Sequence, residues 1–308
     1  GSCAKREPVS LLFALLFVLT MTHLVPCSSV SFAWCDAYWS IMGPPKVMIA
    51  YTGEGLGNAV KLQELLGDHD VVGVKTQLQN IEYIQATTQL KPYDMVIVTQ
   101  AKTLTADQLN IFYDYANNNN ILIWTGDAGT AIPLGEKRPS DYNYNENSVW
   151  VRVNSEGISV PFNTLISAEY IDNYCNIVNC STQNKDFVGN FVVDAYSDLT
   201  AGINPKMQQL YGNTAIVQLI NNTTTKMDLS FDFVSNMMPK SGSKIPVGQK
   251  VFPVFIRTGI GGNVFYSATP LENLLDIPKP QFEAVNTGMQ LPTTIRNIYK
   301  FYFGKFWG

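Results

Sequence analysis

Short continuous apolar runs separated by amphipathic stretches set the pattern after residue 45. "KVMIAY" reads as a strand buried on both faces, because nothing in it alternates. "LGNAVKLQELLG" follows with Ala59, Leu62, Leu65 and Leu66 on one helical face and Gly67 as its stop. "DVVGVK" predicts a second short strand, and "NIEYIQATTQL" a second helix capped by Asn80. "YDMVIVT" gives a third buried strand. The helix after it, in "LTADQLNIFYDYANNNN", presents Leu109, Phe112, Tyr113 and Ala116 at i, i+3, i+4 and i+7. "NILIWTGD" is a fourth strand that runs into a turn. Strands alternating with helices at this spacing predict right-handed crossovers, hence a parallel sheet with helices on both faces.

The second half changes character. "AIPLGEKRPSDYNYNEN" is loop-like, while "SVWVRV", "NTAIVQLI", "KMDLSFDFV" and "VFPVFIRTG" are strand-like, several nearly alternating. "KSGSKIPVGQK" marks an exposed turn. Two arrangements are open for this part: antiparallel strands added to the same sheet, or a small β insertion over about 131–260. "GGNVFYSATPLEN" predicts a last buried strand. A final helix in "TTIRNIYKFYFGKFW" carries Ile295, Ile298, Tyr299, Tyr302 and Phe303 on one face. The expected fold is a doubly wound, mainly parallel α/β sheet with additional β-strands in its second half, preceded by one N-terminal hydrophobic helix.

That N-terminal segment is the strongest pattern in the chain. No charged residue occurs from Pro8 to Cys35, and residues 8–27 are almost wholly apolar. About 20 such residues cross a hydrocarbon core as a helix. Lys5 and Arg6 precede the span, so the positive-inside rule places residues 1–40 as a cytoplasmic stub with its membrane segment. Residues 41–308 then form an extracytoplasmic α/β domain. A cleavable signal peptide is the alternative, with Ser31 and Ala33 compatible with cleavage before Trp34. Either way the main domain is expected outside: on a membrane, or secreted if the segment is removed.

Composition narrows the function classes. Charged residues make up 15% of the chain, with uncharged Asn, Thr and Tyr keeping the surface polar. A net charge of -4 and the lack of basic clusters beyond "KRE" and "EKR" argue against nucleic acid, whose binding needs Lys and Arg against phosphates. The five cysteines are Cys3, Cys27, Cys35, Cys175 and Cys180. Cys175 and Cys180 are spaced to close a small disulfide loop, and Cys27 and Cys35 are a second candidate pair. Metal binding would need more ligands nearby, and the chain has only His23 and His69, so no metal is expected. Asn179, Asn221 and Asn222 each open an N-x-Ser/Thr glycosylation sequon.

The glycine turn "YTGEGLGNAV" is the first candidate site. A dinucleotide fingerprint requires G-x-G-x-x-G and an acidic residue about 20 positions later. Here Gly53, Gly55 and Gly57 are spaced G-x-G-x-G, Asn58 takes the third glycine's place and Gln77 stands where the acid belongs. No Gly-Lys-Ser/Thr phosphate loop occurs, only Thr52 offers a hydroxyl, and Glu54 puts a negative charge where an anion would sit. The turn is therefore read as a packing turn with no cofactor. Its position beyond the carboxyl end of a strand still makes it the place for any ligand.

The order of elements in "YDMVIVTQAKTLTADQLNIFYDYANNNNILIWTGDAG", with "GGNVFYSATPLEN" and the final "IRNIYKFYFG", resembles the class I glutamine amidotransferase-like superfamily. The resemblance includes trehalose-utilisation-type and related surface domains, and it covers Lys46 to Trp124 best and the middle hardly at all. It implies an elbow after "ILIWTG" bearing a nucleophilic Cys, assisted by a late His and an acid. This chain has Gly126, Asp127, Ala128 and Gly129 at that place and no His beyond His69. A nucleophile without a base has no route to activation, so this chemistry is not expected.

Glu54, Asp127 and Glu272 all follow predicted strands and are candidates to converge on one rim as acid, base or cation ligands. The plainer alternative has Asp127 capping a following turn and Glu54 a helix terminus. The expected function is a membrane-anchored surface binding or assembly subunit with a catalytically inactive domain, contacting lipid through its N-terminal helix and other proteins through its domain. A carboxylate- or metal-dependent carbohydrate-active or carbohydrate-binding protein and a surface filament subunit are the competing expectations.

Overall fold

The computed structural model describes residues 43–68, 71–139, 148–178, 180, 187–201, 209–220, 224–233, 245, 248–275, 295–299, 301 and 302. The apolar span 8–27, Cys27, Cys35 and the sequon asparagines Asn179, Asn221 and Asn222 lie outside the described residues. Among the described residues no helix is long and apolar enough to cross a membrane. The chain divides into two units, Pro45–Asn297 and a second made of Gly1–Pro44 with Ile298–Gly308.

In chain order the strands are Val47–Tyr51 (β1), Thr76–Asn80 (β2), Met95–Val98 (β3), Ile121–Thr125 (β4), Val151–Val153 (β5), Ser159–Pro161 (β6), Ala168–Asn173 (β7), Phe187–Val193 (β8), Gln209–Tyr211 (β9), Ala215–Leu219 (β10), Lys226–Phe233 (β11), Val251–Thr258 (β12) and Val264–Ser267 (β13). The helices are Ala59–Gly67 (α1), Ala106–Asn117 (α2), Phe162–Ile166 (α3) and Tyr174–Ile177 (α4). Nine strands form one sheet in the order β2-β1-β3-β4-β13-β12-β11-β8-β9. The run from β2 to β13 is parallel, and β12, β11, β8 and β9 continue it antiparallel. Four strands extend the main sheet, while β7 with β10 and β5 with β6 form separate two-stranded pieces.

The parallel strands are apolar throughout because both of their faces are covered. Met48, Ala50, Val96, Val98, Leu122 and Trp124 join one core with Leu109, Phe112 and Tyr115 of α2. The alternate residues Val47, Ile49, Met95, Ile97 and Ile123 are buried as well, and α1 packs on β1 and β2 with Leu62 and Leu66 buried. The chain steps from β1 to β2 in one direction and from β3 to β4 in the other. Right-handed crossovers therefore place α1 and α2 on opposite faces. The reversal falls between β1 and β3, and a ligand-binding crevice is expected at that point.

Three details depart from the pattern reading. The second strand is "TQLQN" rather than "DVVGVK": the amides of Val71, Val72 and Gly73 all turn back to Asp68 O, which keeps that apolar segment out of the sheet. As an edge strand, β2 is half-exposed and needs no apolar run. "NIEYIQATTQL" forms two short 3₁₀ turns, Ile81–Tyr83 and Thr87–Gln89, although Asn80 does cap the first through Glu82 N. On α2 the buried position is Tyr115 rather than Tyr113, since Tyr115 reaches across to donate to Tyr93 O at 2.8 Å. The final helix is present over 295–299 and at 301 and 302, with Ile295, Ile298, Tyr299 and Tyr302 buried, while Phe303 lies outside the described residues.

Candidate functional site

Residues 52–58 leave β1 with Gly53, Gly55 and Gly57 at φ +96°, +93° and +108°, a backbone path that side chains with a Cβ resist. Two of these glycines are also required by what lies against them. A Cβ at Gly55 would come within 2.7 Å of Asp127 Oδ1, and one at Gly57 within 2.6 Å of Glu272 Oε1. The loop is wrapped around two carboxylates.

Three strand ends supply the contacts. From the end of β3, Gln100 accepts Thr52 N at 3.1 Å, Gly53 N at 3.0 Å and Thr52 Oγ1 at 3.2 Å on its carbonyl. Its own amide donates to Leu56 O, and its side chain accepts Ala59 N and donates to Gly53 O. Gln100 does this at φ +50°, an uncommon conformation for a residue with a side chain. From the end of β4, Asp127 accepts Leu56 N at 2.7 Å. From beyond β13, Glu272 accepts Asn58 N at 2.6 Å and Thr99 Oγ1 at 2.7 Å. Asn58 then caps α1 by accepting Lys61 N at 3.0 Å.

Asp127 is 1% exposed, and both of its oxygens are engaged. Oδ2 accepts Asn173 Nδ2 at 2.8 Å and lies 4.0 Å from Lys102 Nζ. Asn173 ends β7, so the second-half ribbon reaches over the rim and closes on this carboxylate. Tyr170, also on β7, donates to Asn173 Oδ1 at 2.9 Å. Burial, with Asp127 and Asp172 nearby, pushes its phenol well up, so it remains a neutral donor. The turn bearing Asp127 is fixed independently. The indole N–H groups of Trp124 and Trp150 both donate to Ala128 O, and Tyr266 donates to Gly126 O. Gly126, at φ +60°, turns the chain as it leaves β4.

The alternative role for Asp127, capping a following turn, is not what its side chain does. Its backbone carbonyl serves that turn through Thr130, and its carboxylate is spent across the rim. Glu54 likewise caps no helix: that role belongs to Asn58, and Glu54 stands exposed on the outer side of the loop. Asp127 and Glu272 therefore converge on one loop, bound to its amides, without Glu54 joining them.

Behind the turn, Arg152 is 0% exposed on β5. Its guanidinium donates to Val149 O, Leu104 O, Gly129 O and Ala131 O and pairs with Glu136 at 3.0 Å. Period-2 alternation within "VWVRV" gives no hint of this, because alternation assigns a face and not a partner.

Glu272 is fully buried, and burial raises its carboxyl above the ordinary value of 4.5. Hydrogen bonds from the Asn58 amide and the Thr99 hydroxyl, with the nearby Glu272 amide and the charge of Lys61, oppose that rise. The folded state holds this proton more tightly than the unfolded chain does. Its contribution to stability is therefore full below the ordinary carboxyl value and is lost as pH rises through the higher folded-state value. Glu272→Gln, which stays neutral, is expected to flatten this part of the stability–pH curve above pH 4.5. Urea unfolding of both chains across the acid-to-neutral range measures it.

Cys175 and Cys180 are disulfide-bonded, closing a short loop at α4. Loop-closure entropy for so small a ring is worth about 2 kcal/mol. Cys175→Ala is expected to lose that amount in urea unfolding without reductant, and to match the reduced wild type. Among the described residues no group of three or more His, Cys, Asp or Glu could hold a metal ion.

No motif singles out Gln100, Thr99 or Asn173. Thr99 and Gln100 could have been found from position alone, since they end a central strand beside the topological reversal. Asn173 carries no sequence signal, because its strand is half-exposed and irregular in register.

No protein-family model matches the sequence, and no curated protein matches it. Among solved structures the chain is similar to a protein described as ThuA-like from Bacteroides uniformis, at 15% identity and TM-score 0.46, covering 81% of this chain and 92% of that one. It is also similar to a β-galactosidase from Rahnella sp. R3, at 10% identity and TM-score 0.47, covering 82% of this chain and 31% of that one. An α-L-fucosidase from Paenibacillus thiaminolyticus follows at 8% identity and TM-score 0.46, covering 83% and 33%. The chain thus spans about a third of either glycosidase. Likenesses of this degree assign it no activity.

Proposed function

We propose that the chain is a non-catalytic binding or assembly subunit at a cell surface, built on an amidotransferase-like domain. The observation that carries this reading is the occupation of the switch-point loop by the protein's own carboxylates, Asp127 on Leu56 N and Glu272 on Asn58 N. A loop in this position commonly offers its amides to a ligand, and here those of Leu56 and Asn58 are already spent. Strand order supports the fold assignment, because β2-β1-β3-β4-β13 is the 2-1-3-4-5 order of flavodoxin-like sheets. The elbow position holds Gly126, and neither the turn after it nor the later chain supplies a thiol–imidazole pair. The disulfide supports an oxidising compartment, consistent with export or anchoring by the apolar span 8–27.

Fractionation of cells making the full chain tests the location: the domain is expected in the membrane fraction, open to external protease. Recovery of the intact chain in the cytoplasm contradicts it. A panel of amide, ester and glycoside substrates tests the rest. Turnover that Asp127→Ala abolishes would favour the carbohydrate-active alternative.

A further inference from the structure

The head of α1 carries an anion-binding arrangement filled from within. Asn58 N–H and Thr99 Oγ1 both donate to one oxygen of Glu272. The other oxygen, Oε2, is buried and meets no hydrogen-bond partner among the described residues. Asp127 is the contrast on the same loop, with each oxygen engaged by a donor of its own. A buried carboxylate oxygen without a donor costs free energy that a solvated one does not. Glu272 is therefore an imperfect occupant of a well-formed place.

The donors of the place suit an anion and oppose the rise that burial causes in the carboxyl. Helix α1 has nine residues and directs its positive end there, and Lys61 in its first turn adds a charge that favours the ionised carboxyl. Gly57 is cut away just where Glu272 Oε1 sits. Two donors meet on one oxygen with room for a second oxygen beside it, which is the outline of a carboxylate.

We infer that the head of α1 is a carboxylate-binding site, closed in this structure by Glu272 as an internal ligand, which a carboxylate presented by a docking partner replaces. This deepens the binding-subunit reading and depends on it for the existence of a partner, while the site rests on the geometry alone. Tethering gives Glu272 a high effective concentration, so free carboxylates in solution do not displace it. Only a partner that also moves the 271–275 turn does.

Glu272→Ala opens the site for measurement, because the fragment it removes is an acetate. In about 0.1 M acetate the thermal midpoint of the full-length variant is expected to rise by about 3–6 °C. Acetamide at the same concentration, or chloride at the same ionic strength, leaves it unchanged. Thr99→Val added to this variant reduces the gain, and Glu272→Gln, with the place still filled, shows none. A folded Glu272→Ala chain without an acetate-specific gain overturns the site, as does an equal gain in Glu272→Gln. Should Glu272→Ala fold only poorly, its refolding yield in acetate against acetamide gives the same reading, and equal yields overturn it. Neither result touches the non-catalytic reading, which substrate turnover tests separately.

Discussion

Arg152→Met is expected to lower the unfolding free energy by about 3–5 kcal/mol, the range for breaking a buried ion pair from one side. Methionine fills much of the same volume, so the loss comes from the groups left behind. Glu136 keeps its charge without the guanidinium, and the carbonyls of Val149, Leu104, Gly129 and Ala131 lose a common donor. Glu136 retains one contact through Ala106 N at the head of α2, which limits the damage on that side. Changing both partners, Arg152→Met with Glu136→Gln, is expected to recover part of the loss. Urea unfolding of the two variants measures the difference. A loss below about 1 kcal/mol in Arg152→Met would place the guanidinium in water rather than in the core.

Asp127→Ala is expected to cost about 2–5 kcal/mol, because the part-buried Leu56 N–H and the buried Asn173 Nδ2 each lose their acceptor. Asp127→Asn discriminates further. Its carbonyl oxygen serves Leu56 N or Asn173 Nδ2 but not both, since its other atom is itself a donor. An intermediate loss is therefore expected, about half that of alanine. If the two variants were equally stable to wild type, the carboxylate would not be holding the loop to the second-half ribbon.

How much of this was open to reading from residues alone depended on the kind of interaction. Continuous apolar runs such as "VMIAY" and "ILIWT" mark strands covered on both faces, and β1, β3, β4 and β13 follow them closely. The strand β2 escaped because an edge position removes the need for apolar residues, and Gly73 with the Asp68 turn diverted the apolar segment before it. At the rim, the spacing of Gly53, Gly55 and Gly57 was enough to reject a dinucleotide loop. Their true requirement, room for Asp127 and Glu272, is set by residues far along the chain. Position beyond strand ends brought Asp127 and Glu272 into consideration. Only the folded arrangement separates a carboxylate that awaits a ligand from one that serves as one. Asn173 and Arg152 show the same limit, since each acts through partners distant in sequence.

Leu56 and Asn58 direct their amides at the protein's own carboxylates. Amide hydrogen exchange of the full-length protein measures this most directly. In wild type both amides are expected to exchange slowly, at rates near those of the central strands, despite lying in a glycine-rich loop. In Asp127→Ala the Leu56 amide is expected to lose protection by about 100-fold relative to the central strands, while Asn58 in Glu272→Gln stays protected by the amide oxygen. Exchange of both wild-type amides at the rate of an open loop would contradict the claim.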